Sequence, residues 1–558
     1  MKKVLLLLFS ISTIACNNDQ KDYHKLSLSD YQDKMKGAWV GQMAGVGWGL
    51  PTEFDYTNQI IPAEKVPKWE DEMINQHGND DIYVEMTFLK SMDKYGLDVP
   101  IGQAGIDFAN TGYTLWAANK TGRENLRYGI APPASSHPRY SNNCDDIDYQ
   151  IEADFSGIIA PGMPQVPIAM GEKFGRLMNY GDGMYGGQFV GAMYSAAFFL
   201  DDVEEVVNAG LQAIPAQSHY ATCISDVIKW HQEYPDNWQK TWHLIEEKYH
   251  DNLDYQQFAK QTDAWIPIDA KLNGAYIALG LLYGNGNMDS TIVISMRGGK
   301  DSDCNPSNAA GVLGTMIGFE KLDQKFKRAL DYERKFSYSD YNFNQLIALC
   351  EKFTRQLILK YNGEIKEENQ KTIFYIRKKS PDPSEFIPSY NPKPLPEKTQ
   401  YTAEQLKRIN AWAAAHFQPV VEKYNLDLQV YHCGKAVKPG LITWNETDNV
   451  ITTIPMSDQR GVSIELAEKN LIPAGKSAWL KFKVGHEKGA SWRLKIRNGK
   501  EKLDTLIAGS NSLEGWVTIA LDLSQFAGKE DVLVVMDAQP ENNQISNNYW
   551  ADFKLDIQ

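Results

Sequence analysis

The chain has 558 residues, 43% of them hydrophobic and 23% charged, and a formal net charge of −14. That composition excludes a disordered, fibrous or polytopic membrane protein, and the length exceeds the roughly 250–300 residues at which one core stops growing, so two or more domains are expected. The acidic balance, without any basic run, excludes nucleic acid as a partner.

The first segment reads as an export signal: Lys2 and Lys3 precede the apolar run 4–9, and small residues follow up to Cys16. The run is too short to span a bilayer, which needs roughly 20 apolar residues. Its end, Thr13-Ile14-Ala15-Cys16, resembles a bacterial lipobox, so Cys16 is the expected lipidation site, with 1–15 removed and 16–25 serving as a tether. Membrane attachment would then run through the lipid alone, on an exported protein anchored to the outer membrane. Loss of 1–15 moves the net charge to −16, 55 basic against 71 acidic residues. The remaining cysteines, Cys144, Cys223, Cys304, Cys350 and Cys433, contain no C-x-x-C pair and indicate neither a zinc ribbon nor a disulfide scaffold.

Across 26–377 apolar residues recur at three-and-four spacing, which predicts one all-α domain with 322–361 as its closing helices. Gly37, Gly41 and Gly45 in the first long helix, and Gly311, Gly314 and Gly318 in a later one, would each cost about 1 kcal/mol in a helix interior, so these rows predict closely packed backbones. The prolines of KKSPDPSEFIPSYNPKPLPEK, residues 378–398, forbid regular structure and predict an extended connector. One more helix is expected over 401–416, with Leu406, Ile409, Trp412 and Ala413 on a face, so that 378–418 is linker and helix. From 419 to 558, short alternating runs broken by turns predict an antiparallel β-sandwich. This layout resembles the jelly-roll modules appended to secreted glycan-active enzymes. Trp479, Trp492, Trp516 and Trp550 would either form a sugar-stacking platform or, as strand tryptophans more often do, fill the core. The expected fold class is multidomain, an all-α domain followed by an all-β sandwich.

Asp80 and Asp81 stand just ahead of an amphipathic run, where the helix dipole alone would welcome acids. Asp301 and Asp303 follow Gly298-Gly299-Lys300. Residues two apart in a helix point in nearly opposite directions, so this second pair converges on one point only from a loop or cap, which the glycines permit. Four carboxylates with amide and backbone oxygens suit Mg²⁺ or Mn²⁺ rather than zinc. Without cations they would repel one another.

Three motifs in order carry a resemblance: Gly37-Ala-Trp-Val-Gly-Gln-Met-Ala-Gly45 running on to Gly49-Leu-Pro-Thr-Glu53-Phe54, then Asn79-Asp80-Asp81, then Gly299-Lys-Asp301-Ser-Asp303-Cys304-Asn305. Together they resemble the ADP-ribosylglycohydrolase family, the all-helical, dinuclear-magnesium hydrolases that include the dinitrogenase reductase-activating glycohydrolase. The resemblance implies two Mg²⁺ ions, with Mn²⁺ as a substitute. It makes Asn79, Asp80, Asp81, Asp301, Asp303 and Cys304 the metal-binding positions, and Glu53, Asp80 and Asp303 the catalytic ones, with Glu53 as general base. Asn79 and Cys304 stand where the family usually has threonine. An asparagine carbonyl can replace that oxygen, whereas a thiol is a poor magnesium ligand. His137 and His219 are alternative bases, although lone histidines are more often structural.

Between the motifs lies an acidic insert with Asp145, Asp146, Asp148, Glu152 and Asp154, which would either contact substrate hydroxyls or form a solvated turn with helix caps. Tyr185 and Gly186 line up with a glycine-rich family loop that abuts the substrate. The expected activity is metal-dependent hydrolysis of an N- or O-glycosidic bond in a small-molecule or oligosaccharide glycoside, ribosyl-type or glycan-derived. Hydrolysis of an ADP-ribosyl conjugate is the nearest alternative. A catalytically decayed sugar-binding lipoprotein is the alternative from another class.

Overall fold

Helices apolar on every side belong at the centre of a bundle, and such helices organise this one. In the computed structural model, which describes residues 22–127, 129–255, 268–409, 428–432, 435–437, 442–453, 462–469, 472–486, 491–498, 505–510, 515–529, 531–539 and 548–558, the helical part runs α1 (Leu28–Gly49), α2 (Asp80–Tyr95), α3 (Ile101–Ala109), α4 (Ala117–Arg127), α5 (Asp148–Ile151), α6 (Asp154–Ile158), α7 (Gln165–Lys173) and α8 (Asp182–Ala197). It continues through α9 (Val203–Gln212), α10 (His219–Glu233), α11 (Trp238–Ile245), α12 (Ala270–Gly284), α13 (Met288–Arg297), α14 (Cys304–Ile317), α15 (Phe343–Lys360) and α16 (Ala403–Ile409). Every residue of α12 is buried, as are the C-terminal half of α1 and most of α14.

The glycine rows do what the sequence predicts. A Cβ on Gly41 would stand 2.2 Å from the Ala310 carbonyl oxygen and one on Gly45 2.1 Å from that of Pro306. The backbones of α1 and α14 therefore touch, and their ends converge on one place. Gly318 ends α14 with φ +82°, and a Cβ there would stand 2.2 Å from Asp33 Oδ2 of α1.

Two parts of the helical stretch are not helical. Tyr23–Ser27 (β1), Glu364–Glu368 (β2) and Lys371–Arg377 (β3) form a small antiparallel sheet in the order β1-β3-β2, with Leu26 opposite Phe374. The 16–25 tether thus ends in a strand, and 364–377 is a hairpin whose Phe374 and Ile376 face the core. Its turn residues Asn369 and Gln370 both have positive φ, 50° and 62°, as tight hairpins require. The segment 322–361 supplies only one long helix, α15, because turns and loop fill the stretch before it.

The proline-rich connector is extended, as predicted, but it is strapped to the helices. The Tyr185 hydroxyl donates to the Glu385 carbonyl at 2.7 Å and accepts from the Ile387 N–H at 2.8 Å. Lys393 N–H donates to the Tyr180 hydroxyl at 3.0 Å, and the Lys393 carbonyl meets His137 Nε2 at 2.8 Å. Tyr185→Phe would leave the buried Ile387 N–H without its acceptor, at a cost of about 1–3 kcal/mol. Limited proteolysis is expected to cut the variant faster than the parent within 381–396, and equal rates would show that the strap does not depend on this anchor.

The C-terminal strands are β4 (Leu428–His432), β5 (Lys435–Val437), β6 (Ile442–Trp444), β7 (Thr447–Thr453), β8 (Val462–Lys469), β9 (Ala478–His486), β10 (Ser491–Asn498), β11 (Thr505–Ser510), β12 (Gly515–Asp522), β13 (Asp531–Gln539) and β14 (Asn548–Ile557). They pair antiparallel in two sheets, β11-β10-β13-β8-β4-β5 and β12-β9-β14-β7-β6. Successive strands from β7 to β10 and from β11 to β14 switch sheets, the connectivity of a sandwich. Trp550 is fully buried against Phe482, with ring centroids 5.6 Å apart, and is core rather than platform. Trp516 packs edge-on against Trp444, Trp444 stacks on Tyr549, and Trp479 is 39% exposed. The Trp492 side chain, the lipobox with Cys16, Cys433 and residues 410–416 of the expected last helix lie outside the described residues. Among the described residues no helix is long and apolar enough to cross a membrane.

Candidate active site

The C-terminal end of α1 meets the first turns of α2, α4 and α14 around a cavity of about 520 Å³. Asp80 and Asp81 open α2, whose N-terminus Asn79 caps by accepting the Asp81 N–H at 3.0 Å. That bond uses one lone pair of the Asn79 side-chain oxygen, which the family resemblance implies as a metal ligand, and leaves the other. Asp303 precedes the first turn of α14 and Asp301 sits in the loop before it, so the two acids converge from a loop and a cap. Ligand atoms of Asp301, Asp303 and Cys304 lie within 4.8 Å of one another. The Cys304 thiol points at the other pair, donating to Asp81 Oδ1 at 3.0 Å.

The loop after α1 is bound to the aspartate loop by its backbone. Phe54 N–H donates to the Lys300 carbonyl at 3.1 Å, and Lys300 N–H donates to the Tyr56 carbonyl at 2.8 Å. Gly299, at φ +79°, is obligatory here, since a Cβ would stand 2.3 Å from the Tyr56 oxygen. Thr52 and Ser302 share a hydroxyl bond of 2.8 Å. These ties bring Glu53 to the cavity with Asp80 and Asp301.

Burial dominates the electrostatics. It raises Asp80, Asp81 and Asp303 above the ordinary carboxylate range, with the negative charges of neighbouring aspartates adding to the shift for Asp81 and Asp303. Asp301 is pushed up to about 8 by burial, with Glu53 and Asp81 adding to it. Glu53 is likewise pushed up to about 8, by burial first and then by Asp303 and Asp80. Lys300, next in sequence to Asp301, does not offset this charge: its ammonium turns to Glu246 at 3.1 Å and the Thr57 carbonyl at 2.9 Å.

Of the acidic insert, Asp148 lines the cavity. It caps α4, accepting from Ala118 N–H at 3.1 Å and Asn119 N–H at 2.9 Å, and burial pushes it up to about 7. The other four acids are buried in the scaffold. Asp145 accepts from Ser389 of the strap at 3.1 Å, Asp146 from Asn143 at 2.8 Å, Glu152 from the Asn119 amide, and Asp154 from Asn308 at 2.8 Å. Tyr185 holds the strap, and Gly186 packs where a Cβ would stand 2.5 Å from Gln150 Oε1. Neither lines the cavity, because α8 presents this stretch to the strap and to the core. His137 is taken by Lys393, and His219 stacks on Tyr390 of the strap with centroids 5.0 Å apart, so neither histidine reaches Glu53 and the aspartates as a base.

Sequence reasoning passed over Glu85, one turn beyond Asp81 on α2. It is fully buried, accepting from Gln42 at 2.5 Å and from Phe155 N–H at 2.7 Å, and burial pushes it well above the usual range, with Asp154 adding to the shift. Its position four residues after Asp81 on the same apolar face was the available signal. Trp116 and Arg334 of the cavity wall carried no such signal.

The family model for ADP-ribosylglycohydrolase matches residues 27–362, which contain all three motifs and the cavity wall. Among solved structures, a chain of an ADP-ribosylglycohydrolase-related protein complex aligns with 59% of this chain and 99% of its own length, at 13% identity and a TM-score of 0.39. A chain described as "CBM4 structure and function" aligns with 24% of this chain and 94% of its own, at 14% identity and a TM-score of 0.18. No curated protein matches. With the family model covering more than half its length, the chain belongs to the ADP-ribosylglycohydrolase family, hydrolases of glycosidic bonds.

Proposed function

We propose that the helical domain hydrolyses an N- or O-glycosidic bond of a ribosyl-type or glycan-derived substrate with the help of two divalent cations, Mg²⁺ or Mn²⁺, held by Asp80, Asp81, Asp301 and Asp303. One observation carries this reading. Asp81 Oδ2, Asp301 Oδ1 and Asp303 Oδ1 are buried without a protein donor, and the nearest lysine in sequence is committed elsewhere. Buried carboxylates without partners cost several kcal/mol, and an all-oxygen donor set with one thiol at its edge fits a hard cation rather than zinc.

Bound cations would supply a Lewis acid for sugar hydroxyls and a more acidic water. The chain's own residues do the rest. Glu53 borders the cavity, and its raised affinity for a proton suits it to take one from the attacking water. Asp148, fixed by two backbone N–H groups, presents a rigid carboxyl for a substrate hydroxyl. The capping bond of Asn79 keeps the first turn of α2 in place under Asp80 and Asp81.

A release assay on nucleosides, ADP-ribosyl conjugates and oligosaccharides, with magnesium and with chelator, is expected to show turnover of at least one glycoside that chelation stops. Turnover that survives chelation would end the cation mechanism, and tight sugar binding with no turnover would make the chain a binder. The signal and lipobox support an exported lipoprotein anchored at Cys16. Palmitate labelling in cells should be lost in Cys16→Ser, and persistent labelling would refute that assignment.

A further inference from the structure

The turn that delivers Asp301 to the cavity is held from two sides. Lys300 has φ +58° and follows Gly299 at φ +79°, and a residue with a side chain keeps such backbone only where its surroundings impose it. On one side the loop after α1 does so, through the bonds of Phe54 and Tyr56 to the Lys300 backbone. On the other side stands α11. Trp242 donates its indole N–H to the Gly298 carbonyl at 2.8 Å. One turn on, where α11 passes into the π-helical turn Glu246–His250, Glu246 Oε2 accepts from the Lys300 ammonium at 3.1 Å. The Tyr276 hydroxyl of α12 donates to the other oxygen, Oε1.

Glu246 and Lys300 are buried, and neither lines the cavity. An ammonium beside a cation site is nonetheless a competitor for it. Asp301 Oδ1 and Asp303 Oδ1 have no protein donor, and Lys300 is joined to Asp301 by a single peptide bond. Its aliphatic stem is flexible, and a buried ammonium is stable only against an opposite charge. Without an anion on its own side, Lys300 would turn to Asp301 and Asp303 and fill the place of a divalent ion. The Thr57 carbonyl, at 2.9 Å, also accepts from it but carries no net charge, so Glu246 supplies the anion.

We infer that Glu246 is a positioning residue of this active site, which holds the Lys300 ammonium away from Asp301 and Asp303 and so keeps their carboxylates free for divalent cations. The inference rests on the reading that these aspartates bind cations. Glu246 acts only through Lys300, so its effect should vanish when the charge of the lysine is removed.

Calorimetric titration of Mn²⁺ into the metal-free full chain tests this. Glu246→Gln is expected to weaken binding about tenfold or more, the effect of one charge misplaced beside the cluster. Lys300→Met added to Glu246→Gln should return the affinity to within about threefold of the parent, and Lys300→Met alone should bind Mn²⁺ as the parent does. A crystal structure of metal-free Glu246→Gln should show the Lys300 ammonium bonded to Asp301 or Asp303. A Glu246 that only stabilised the fold would instead lower the melting temperature in chelator and leave the Mn²⁺ affinity of the folded protein unchanged. That result, failure of Lys300→Met to restore binding, or a lysine still directed at residue 246 in the variant would overturn the inference. Should Glu246→Gln leave no folded protein, Glu246→Asp, which draws the charge back by one methylene, replaces it with the same expected direction and the same rescue. Absence of Mn²⁺ binding by the parent would refute the cation reading itself, whereas binding that ignores Glu246 refutes only the positioning role.

Discussion

Asp301→Asn is expected to reduce turnover roughly a thousandfold, the several kcal/mol that a correctly held cation lends a transition state, while leaving the cation-free protein as stable as the parent or more so. The second half separates this from ordinary damage. In the absence of cations, Asp301 sits among like charges and holds its proton up to about pH 8, so the charged form is a burden that the neutral amide removes. The pH dependence follows with a definite sign. Asp148 and Asp301 bind protons more tightly folded than unfolded, so the folded state is favoured below the ordinary carboxylate pKa of about 4 and loses that advantage as pH rises towards 7 or 8. Thermal unfolding in chelator should therefore show the melting temperature falling from about pH 4 to pH 8 in the parent, with a shallower fall in Asp301→Asn. Magnesium should restore more stability at pH 8 than at pH 5 in the parent and little in the variant. A variant that melts well below the parent in chelator would contradict this account of the cluster.

The second large effect is expected at Gly45. Its missing side chain lets α1 lie against the Pro306 carbonyl of α14, where a Cβ would stand at 2.1 Å. Backbone cannot swing aside as a side-chain tip can, so Gly45→Val must part the two helices, at a cost of at least about 3 kcal/mol. Because α14 begins at Cys304 immediately after Asp303, parting them also displaces half of the carboxylate cluster. Denaturant unfolding should show the lost stability, and titration with Mn²⁺ should show weakened binding in whatever protein remains folded. Gly96→Ala is the control. Gly96 has φ +85° and ψ 169° but no neighbour within 4 Å of a Cβ, so local strain of about 1–3 kcal/mol is expected, with Mn²⁺ binding unchanged.

Several parts of this architecture were legible before any coordinates. The glycine rows announced close backbone packing, because few other causes place glycine every fourth residue in an apolar helix, but not that α1 and α14 are each other's partners. The spacing of Asp301 and Asp303 required a loop, and the Gly298-Gly299 pair supplied one. The alternation of short runs after 419 was enough for two antiparallel sheets. Other parts were misread for equally physical reasons. The strand of 371–377 is short and follows the long helix α15, so its alternation was absorbed into a helical stretch. The proline-rich segment was correctly read as extended, yet extended chain can dock as well as dangle, and docking depends on partners such as Tyr180 and Tyr185 some 200 residues away in the chain.

The acidic insert shows the same division most sharply. Five neighbouring carboxyls carried identical local signals, but only Asp148 reaches the cavity. Asp145 faces the strap, Asp146 its own turn, and Glu152 and Asp154 the interior. By itself the sequence determined the helical and sheet classes and the order of the motifs, because these rest on periodicity, glycine and local spacing, while Glu53 was set beside the four aspartates by the resemblance to the family. Only the tertiary structure decided which acids share a cavity, where Lys300 spends its charge, and that Trp242 and Glu246 hold the turn before Asp301. Those facts depend on contacts between segments far apart in the chain, and nothing local encodes which distant partner a side chain will face.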